Sequence, residues 1–319
     1  MKTYKIARTD LVVSRLAFGC AMLGLASGAD FSSKVIPVIQ TAYDQGVTFF
    51  DTADFYGSGD SETALGKVLK DSPGMRHRVV IQSKCGDSPE GADNSFKHIM
   101  SSVEGSLRRL GTDHLDLLLL HWPDSLVQPE DVARAFDDLK ERGKVRYFGV
   151  SNHSPAQYEL LQKSVRQPLV TNQIQLGLMH WDVTQRDHNS PLIHADGGVT
   201  TVDYCRVHDI WVQAYSPLRS DTIGSAPSPL MSTLPADAPS EVKRTAHLLA
   251  EVAKKYDATP AAIMLAWLLR HPAGITPILG TTNAEHLVQN CVSDRLELTR
   301  EEWYKLLSAA SKNSWPGLF

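Results

Sequence analysis

The sequence predicts an α/β protein: a single (β/α)8 (TIM) barrel over residues 1–319, with an N-terminal β-hairpin cap and long loops on the C-terminal face. Three observations predict it. Short, nearly continuous apolar runs recur eight times, as strands buried on both faces require. Helix-like segments with capping signals lie between them. No linker divides the alternation, and α/β barrels routinely reach about 250 residues or more as one unit.

The strand candidates, in order, are "RLAFG" (15–19), "VTFFD" (47–51), "VVIQSK" (79–84), "LDLLLLH" (115–121), "YFGVS" (147–151), "VTNQIQ" (170–175), "IWVQAYS" (210–216) and "TPILG" (276–280). Among the helices, Ser95 precedes "FKHIMSSVEGSLRRL", whose Ile99, Val103, Leu107 and Leu110 keep one face, and Gly111 stops it. Pro129 opens "PEDVARAFDDLKERG", with Val132, Phe136 and Leu139 inward and Gly143 as terminator. Ser154-Pro155 and Thr259-Pro260 start two more. Outside the repeat, "KIARTDLVVS" is expected to form a two-stranded ribbon closing the barrel's bottom. The segment from Pro217 to Ser240, rich in Pro, Ser and Ala, reads as a long loop on the face where barrels keep their sites.

Apolar residues are 42% of the chain, enough for a large core. A formal charge of −4 with scattered basic residues gives no footprint for a nucleic acid. No apolar run approaches the roughly 18 residues of a membrane span. The N-terminus lacks an apolar signal region and a small-residue cleavage site, so a cytoplasmic location is expected. Cys20, Cys85, Cys205 and Cys291 are far apart and are read as free thiols. No heptad run or exposed edge strand decides an assembly state.

In a barrel the C-terminal strand ends share one mouth. Asp51 ends the second strand, Lys84 the third and His121 the fourth, while Tyr56 follows Asp51 closely enough to fold back over the mouth. Each alone has an ordinary reading as a cap, a surface lysine, a core histidine or a packed tyrosine; their coincidence at successive strand ends points to a reactive site. An unperturbed phenol titrates near ~10. A lysine ammonium about 4 Å away stabilises phenolate by roughly 4 kcal/mol before desolvation is subtracted, so Lys84 is expected to draw Tyr56 down toward neutrality. Asp51 would keep the buried lysine charged, and His121 would donate a hydrogen bond to a substrate oxygen. Asp54 is assigned to the loop's own hydrogen bonds. A metal-hydrolase reading through Asp51, Asp54 and His121 lacks a second histidine with ligand spacing; His153 sits in a motif better explained otherwise.

The chain resembles the aldo-keto reductases along essentially its whole length. The resemblance rests on "FDTADFYGSGDSETALGKVL", with "QSKCG", "LDLLLLHWPD", "GKVRYFGVSN", "TNQIQ" and "PILGTTNAEHLVQN" in order. It implies reduction of an aldehyde or ketone by a bound nicotinamide cofactor. Matching positions make Tyr56 the proton donor, Lys84 its pKa depressor, Asp51 the lysine's partner and His121 the carbonyl orienter. Asp51 also counts among the cofactor-side residues, with Ser151, Asn152 and Gln173 at the carboxamide and Tyr215 stacked on the nicotinamide ring. Ser216, Leu218 and Arg219 begin the pyrophosphate loop; Gly280, Thr281, Thr282 and Asn283 meet the adenosine phosphate, and Gln289 and Asn290 the adenine. The usual G-x-G-x-x-G fingerprint is absent, as expected for a barrel that binds its cofactor extended.

Two departures bear on specificity. Where many members carry Lys or Arg for the 2′-phosphate of NADP, this chain has Thr282, Asn283 and His286. NADP(H) is the favoured cofactor, with NAD(H) or dual use as the alternative. Arg219 stands where glycine is common. Met22, Phe55, His121 and Trp122 are expected to line a carbonyl-substrate slot, and Trp181 either joins them or packs elsewhere. The short tail "SKNSWPGLF" suggests an open pocket. The competing reading from another class is a nicotinamide-binding redox-sensing subunit with little turnover.

Overall fold

Side chains alternate across a strand, so a run that is apolar throughout must be covered on both faces. In the computed structural model all eight runs meet that condition by closing into one parallel barrel. The structure describes residues 1–25, 35–181, 201–218, 234 and 237–311.

The chain begins with an antiparallel hairpin, β1 (Thr3–Lys5) and β2 (Val12–Ser14), as expected from the sequence. The barrel then opens with β3 (Ala17–Gly19), α1 (Ile36–Asp44), β4 (Phe49–Asp51) and α2 (Asp60–Asp71). β5 (Val80–Cys85) follows, then a small hairpin of β6 (Asp87–Ser88) and β7 (Gly91–Ala92), then α3 (Phe96–Leu110). Next come β8 (Leu115–Leu120), α4 (Pro129–Glu141), β9 (Val145–Ser151), α5 (Pro155–Gln162), β10 (Leu169–Gln175) and α6 (Thr201–Val207). The barrel ends with β11 (Trp211–Tyr215), α7 (Ser240–Lys255), α8 (Pro260–Leu269) and β12 (Thr276–Leu279); α9 (Ala284–Cys291) and α10 (Arg300–Ala310) complete the chain. Of the loop expected from Pro217 to Ser240, most lies outside the described residues.

The predicted helix signals work as their chemistry dictates. Ser95 accepts a hydrogen bond from the His98 amide at 3.3 Å, and Gly111 ends α3 at φ +64°, a conformation that costs a side chain free energy. Ser154 and Gln157 form a reciprocal capping box on α5, and Thr259 accepts from the Ala262 amide at 3.2 Å on α8.

Two cores result. The larger lies between barrel and helices and includes Phe18, Phe50, Ile81, Leu118, Phe148 and Trp267. The smaller fills the barrel's lower interior with Phe49, Val80, Leu117, Leu119, Val170, Trp211 and Ile278, closed from below by Ile6, Leu11 and Val13 around the hairpin. Phe49 and Trp211 meet ring to ring at 5.0 Å. One step of period two above these residues, the same strands turn polar side chains inward. Phe49 is followed by Asp51, Val80 by Gln82 and Lys84, and Trp211 by Gln213. The interior is therefore an apolar plug beneath a polar floor, and the floor faces the mouth.

Candidate active site

At the floor, Asp51 lies level with Gln82 in the β4–β5 register, and Gln173 with Gln213 in the β10–β11 register. Gln82 Nε2 donates to Asp51 Oδ1 at 2.6 Å and to Gln213 Oε1 at 2.8 Å. Gln173 Nε2 donates to the same two acceptors, each at 2.9 Å. Gln213 Nε2 closes the network on Gln82 Oε1 at 2.8 Å. Two buried amides thus donate to one carboxylate and a third links them, so that among these groups only Gln173 Oε1 is left without a partner among the described residues.

Lys84 rises from this floor with no exposed surface. Its ammonium lies 2.8 Å from Asp51 Oδ1 and donates to the Thr52 carbonyl at 2.9 Å and to the Tyr56 hydroxyl at 3.1 Å. Burial alone would pull the lysine down, but Asp51, then Tyr56, carry it above its ordinary value and keep it charged. Tyr56 comes back over the mouth because the chain after Asp51 first continues beside β5. The Thr52 and Asp54 amides donate to the Gln82 and Lys84 carbonyls at 2.9 and 3.1 Å. It then turns sharply at Gly57 and Ser58, both left-handed, before α2.

The expected depression of Tyr56 does not hold. Burial raises the phenol above its ordinary value; Lys84 opposes this, and Asp51 adds to the rise. The lysine's charge is already largely answered by Asp51, so its pull on the phenol is smaller than for a free ammonium. Tyr56 is therefore a protonated donor whose oxygen is oriented by Lys84.

His121 follows β8, its amide held by the Cys85 carbonyl at 2.8 Å. Its ring stacks on Trp122 at 5.6 Å and meets Tyr56 and Phe55 edge-on at 5.7 and 6.0 Å. Nδ1 lies 2.5 Å from Asp87 Oδ2. Burial lowers His121 below the ordinary imidazole value, against the opposing pull of Asp87. Phe55 and Met22 are exposed at 55% and 43%, as mouth residues open to a ligand would be, and a Cβ built at Gly280 would lie 3.8 Å from Met22. Trp181 goes elsewhere: its ring packs 4.9 Å from Trp267, 5.1 Å from His271 and 6.1 Å from Trp303. Asp54 also departs from expectation. Its carboxyl hydrogen-bonds Ser102 of α3, its Oδ1 has no partner, and burial raises it to about 6, with Ser102 opposing and Glu62 and Asp87 adding to the rise.

Of the positions expected to meet a cofactor, Ser151, Asn152, Gln173 and Tyr215 lie together at or just beyond the C-terminal ends of β9, β10 and β11. Asn152 adopts φ +63° and donates to the His121 carbonyl at 3.1 Å and Ser151 Oγ at 3.0 Å, while its Oδ1 accepts from the Tyr215 hydroxyl at 3.0 Å. Ser151 Oγ donates to the Gln173 carbonyl at 2.9 Å. Gln173 Oε1 alone of this group keeps an acceptor with no partner among the described residues. An unspent amide oxygen beside the half-buried Tyr215 ring fits the NH2 of a flat aromatic carboxamide. Ser216 turns the chain at φ +51°, and Leu218 packs against the core; Arg219 lies outside the described residues. Gly280, Thr282, Asn283 and His286 are exposed around the start of α9, where Asn283 caps the Glu285 and His286 amides at 2.8 and 3.3 Å. Thr281 Oγ1 receives the Asn283 amide at 3.1 Å. Gln289 is half-buried on α9 and Asn290 buried. Among the described residues no group of three or more His, Cys, Asp or Glu is arranged to hold a metal ion, and no helix is long and apolar enough to cross a membrane. All four cysteines are free.

Sequence reading missed Asp87, Gln82 and Gln213. The two glutamines were legible in principle, as the only amides in their strand runs. Asp87 carried no comparable signal, because its partner His121 is 34 positions away.

Fold and site define the class first: a (β/α)8-barrel protein with a buried lysine–carboxylate pair beneath a phenol. Comparison with known proteins then narrows it. Residues 15–310 match the Aldo/keto reductase family. A 6-dehydroglucose reductase of Agrobacterium fabrum is 35% identical over 318 residues, 96% of this chain and 97% of that protein. A second 6-dehydroglucose reductase, of Novosphingobium aromaticivorans, is 30% identical over 319 residues, 98% of this chain and 96% of its own length. The crystal structure of an aldo-keto reductase from Klebsiella pneumoniae in complex with NADPH superposes with a TM-score of 0.75 at 27% identity, covering 96% of this chain and 93% of that one. The chain belongs to the aldo/keto reductase family, and it is an oxidoreductase.

Proposed function

We propose that residues 1–319 act as one barrel unit that reduces aldehydes or ketones to alcohols with NADP(H), Tyr56 delivering the proton. The observation that carries the reading is the Lys84 ammonium, fully buried between Asp51 and the Tyr56 hydroxyl. When bound, the reduced nicotinamide supplies hydride to the carbonyl carbon. Tyr56 donates its O–H to the carbonyl oxygen and transfers that proton as negative charge develops there. Lys84 stabilises the resulting phenolate, and Asp51, held by the Gln82 and Gln173 amides, keeps the lysine charged and fixed. His121, Phe55, Trp122 and Met22 form the wall against which the carbonyl is positioned, and Trp181 has no part in it.

Gln173 Oε1, with Ser151, Asn152 and the Tyr215 ring, would hold the carboxamide end. For Asn152 this means exchanging its hydrogen bond from Tyr215. Ser216, Leu218 and Arg219 would follow the pyrophosphate, Gly280–Asn283 with His286 the adenosine phosphate, and Gln289 and Asn290 the adenine. The NADPH held by the Klebsiella pneumoniae relative supports the cofactor choice, and the names of the two sugar-aldehyde reductases support a small polar carbonyl as substrate.

The test is loss of reduced-cofactor absorbance with a reactive aromatic aldehyde, using NADPH and NADH in parallel, for wild type and Tyr56→Phe. Turnover that collapses in the variant while cofactor binding persists is the expected result. Cofactor binding with no turnover on any aldehyde would overturn it in favour of the redox-sensing alternative.

A further inference from the structure

Between Tyr56 and α2 the backbone takes three consecutive residues into the left-handed region: Gly57 at φ +57°, Ser58 at +55° and Gly59 at +97°. For Ser58 that conformation is unfavourable, and such a turn persists only where its surroundings hold it. The first turn of α2 holds it. Ser61 Oγ donates to the Cys20 carbonyl at 2.8 Å, and the Cys20 amide donates to the Asp51 carbonyl at 2.8 Å. Glu62, with no exposed surface, receives the Ser83 hydroxyl on Oε1 at 2.6 Å. Successive side chains of a strand point to opposite faces, so Ser83 reaches outward to α2 from the same stretch of β5 that sends Lys84 inward. Glu62 therefore couples the helix that follows Tyr56 to the strand that carries Lys84.

A carboxylate so deeply buried needs a counter-charge. Arg109, near the end of α3, supplies it: Nε and Nη2 both lie 2.7 Å from Glu62 Oε2. The same side chain lies directly against the turn. A Cβ built at Gly59 would fall 2.6 Å from Arg109 Cδ and 2.7 Å from its Nε, and one at Gly66 would fall 2.4 Å from the Arg109 carbonyl oxygen. The Tyr56 turn, α2 and α3 are thus seated on one ion pair. Glu62 acts at one remove from the phenol, through Ser83 on one side and the turn at Gly59 on the other. Buried ion pairs are poor stabilisers beside apolar side chains of similar volume, and their better use is to fix one arrangement among several.

We propose that Glu62, balanced by Arg109 and bound to Ser83, is a positioning residue that sets the separation between the Tyr56 hydroxyl and the Lys84 ammonium. The inference deepens the reductase reading and rests on it for the consequence in rate; the separation itself is a property of the fold. Without the link, the strained turn relaxes, and the phenol leaves the place where Lys84 can steady the charge that develops on it.

The test exchanges the whole cluster for apolar side chains in the full-length protein, Ser83→Ala/Glu62→Met/Arg109→Met, so that no charge is stranded. Urea unfolding should show stability equal to or above that of wild type. In crystal structures the hydroxyl–ammonium separation, 3.1 Å in wild type, should lengthen by about 1 Å, and kcat for a reactive aromatic aldehyde should fall about 10- to 100-fold. NADPH affinity, read by fluorescence titration, should be unchanged, because none of the three residues meets the cofactor. The solvent deuterium isotope effect on kcat should rise as proton delivery slows; a smaller folded fraction would lower kcat and leave that effect where it was. Ser83→Ala alone keeps the ion pair and should move separation and kcat the same way by less, which decides the matter should the triple variant fail to fold. An unaltered separation, or a kcat lost with no change in the isotope effect, would overturn the proposal. If wild type reduces no aldehyde, the reductase reading fails, while the separation in the variant structures still decides the positioning.

Discussion

Replacing Lys84 with methionine separates what the buried ammonium does for stability from what it does for reactivity. Its 3.1 Å approach to the Tyr56 hydroxyl corresponds to about 5 kcal/mol of phenolate stabilisation at an effective dielectric near 20. Asp51, 2.8 Å from the ammonium on its other side, offsets part of that, leaving on the order of 2–4 kcal/mol at the transition state. Turnover should fall about 30- to 1,000-fold. Stability should fall as well, by about 3–5 kcal/mol, because the Asp51 carboxylate is stranded in the interior. The double variant Asp51→Asn/Lys84→Met removes both charges. The amide oxygen introduced in place of the carboxylate still accepts from Gln82 and Gln173, and its new NH2 can serve the Thr52 carbonyl that the lysine abandoned. Urea unfolding of wild type, both single variants and the double variant forms a thermodynamic cycle, with turnover measured on the same four proteins. Stability should largely return in the double variant while turnover stays lost. Turnover of Lys84→Met within a few-fold of wild type, or turnover that recovers together with stability, would refute the reasoning.

The other predictions concern pH, backbone fit and the cofactor. Because burial holds the Tyr56 phenol above its ordinary value, the donor form persists across neutrality; reduction rates should be flat from about pH 6 to 9 and fall only on the alkaline side, beyond the usual phenol range near ~10. A pH–rate profile with a drop near neutrality that Tyr56→Phe abolishes would contradict this. His153 is fully buried and depressed to about 4, its ring opposing that shift only through its hydrogen bond to the Ser151 carbonyl. The unfolded chain therefore binds the extra proton first, so stability is intact above about 6.5 and declines as pH falls toward 4. Between pH 7 and 5 wild type should lose about 2 kcal/mol more than His153→Gln, as read from urea unfolding. Gly86→Ala should cost more melting stability than Gly91→Ala, since both have positive φ but only Gly86 has Asn94 at 2.3 Å, while Gly91 meets nothing within 4 Å; equal losses would show the hairpin gives way. Thr282→Arg, at the exposed start of α9, should raise the NADPH-to-NADH ratio of kcat/KM by about tenfold, and an unchanged ratio would move the 2′-phosphate away from this helix.

The barrel was legible because its strands are chemically simple. A run such as "LDLLLLH" has one buried solution, and the structure gives Leu115–Leu120. Caps at Ser95, Ser154 and Thr259 were equally plain, since a side-chain oxygen before a helix start has few other uses. The β6–β7 hairpin escaped notice because Asp87–Ser88 and Gly91–Ala92 carry no apolar periodicity and are held by Asn94, a contact no local pattern encodes. The convergence of Asp51, Lys84, Tyr56 and His121 followed from strand ends alone. The direction of the Tyr56 shift did not, because it depends on how much water burial removes, and Asp51's share of the lysine's charge appears only in three dimensions. Trp181 could be counted but not directed: its partners Trp267, His271 and Trp303 lie on elements beyond the long segment that follows it.

The polar floor also carries information about direction. An ionised carboxylate has no hydrogen to give, so Gln82 and Gln173 must both turn their NH2 groups toward Asp51. Gln213 then receives their remaining hydrogens on its oxygen and turns its own NH2 to Gln82. Every amide dipole in the layer is thus oriented by a single charge, and the end that remains free, Gln173 Oε1, can only receive. Asp51 in this way writes a sense of left and right into a ring of groups that would otherwise be free to flip. The change Asp51→Leu, by removing the acceptor altogether, would erase that sense. The loss would be read in the stereochemistry of the alcohol and of the labelled hydride position as well as in the rate.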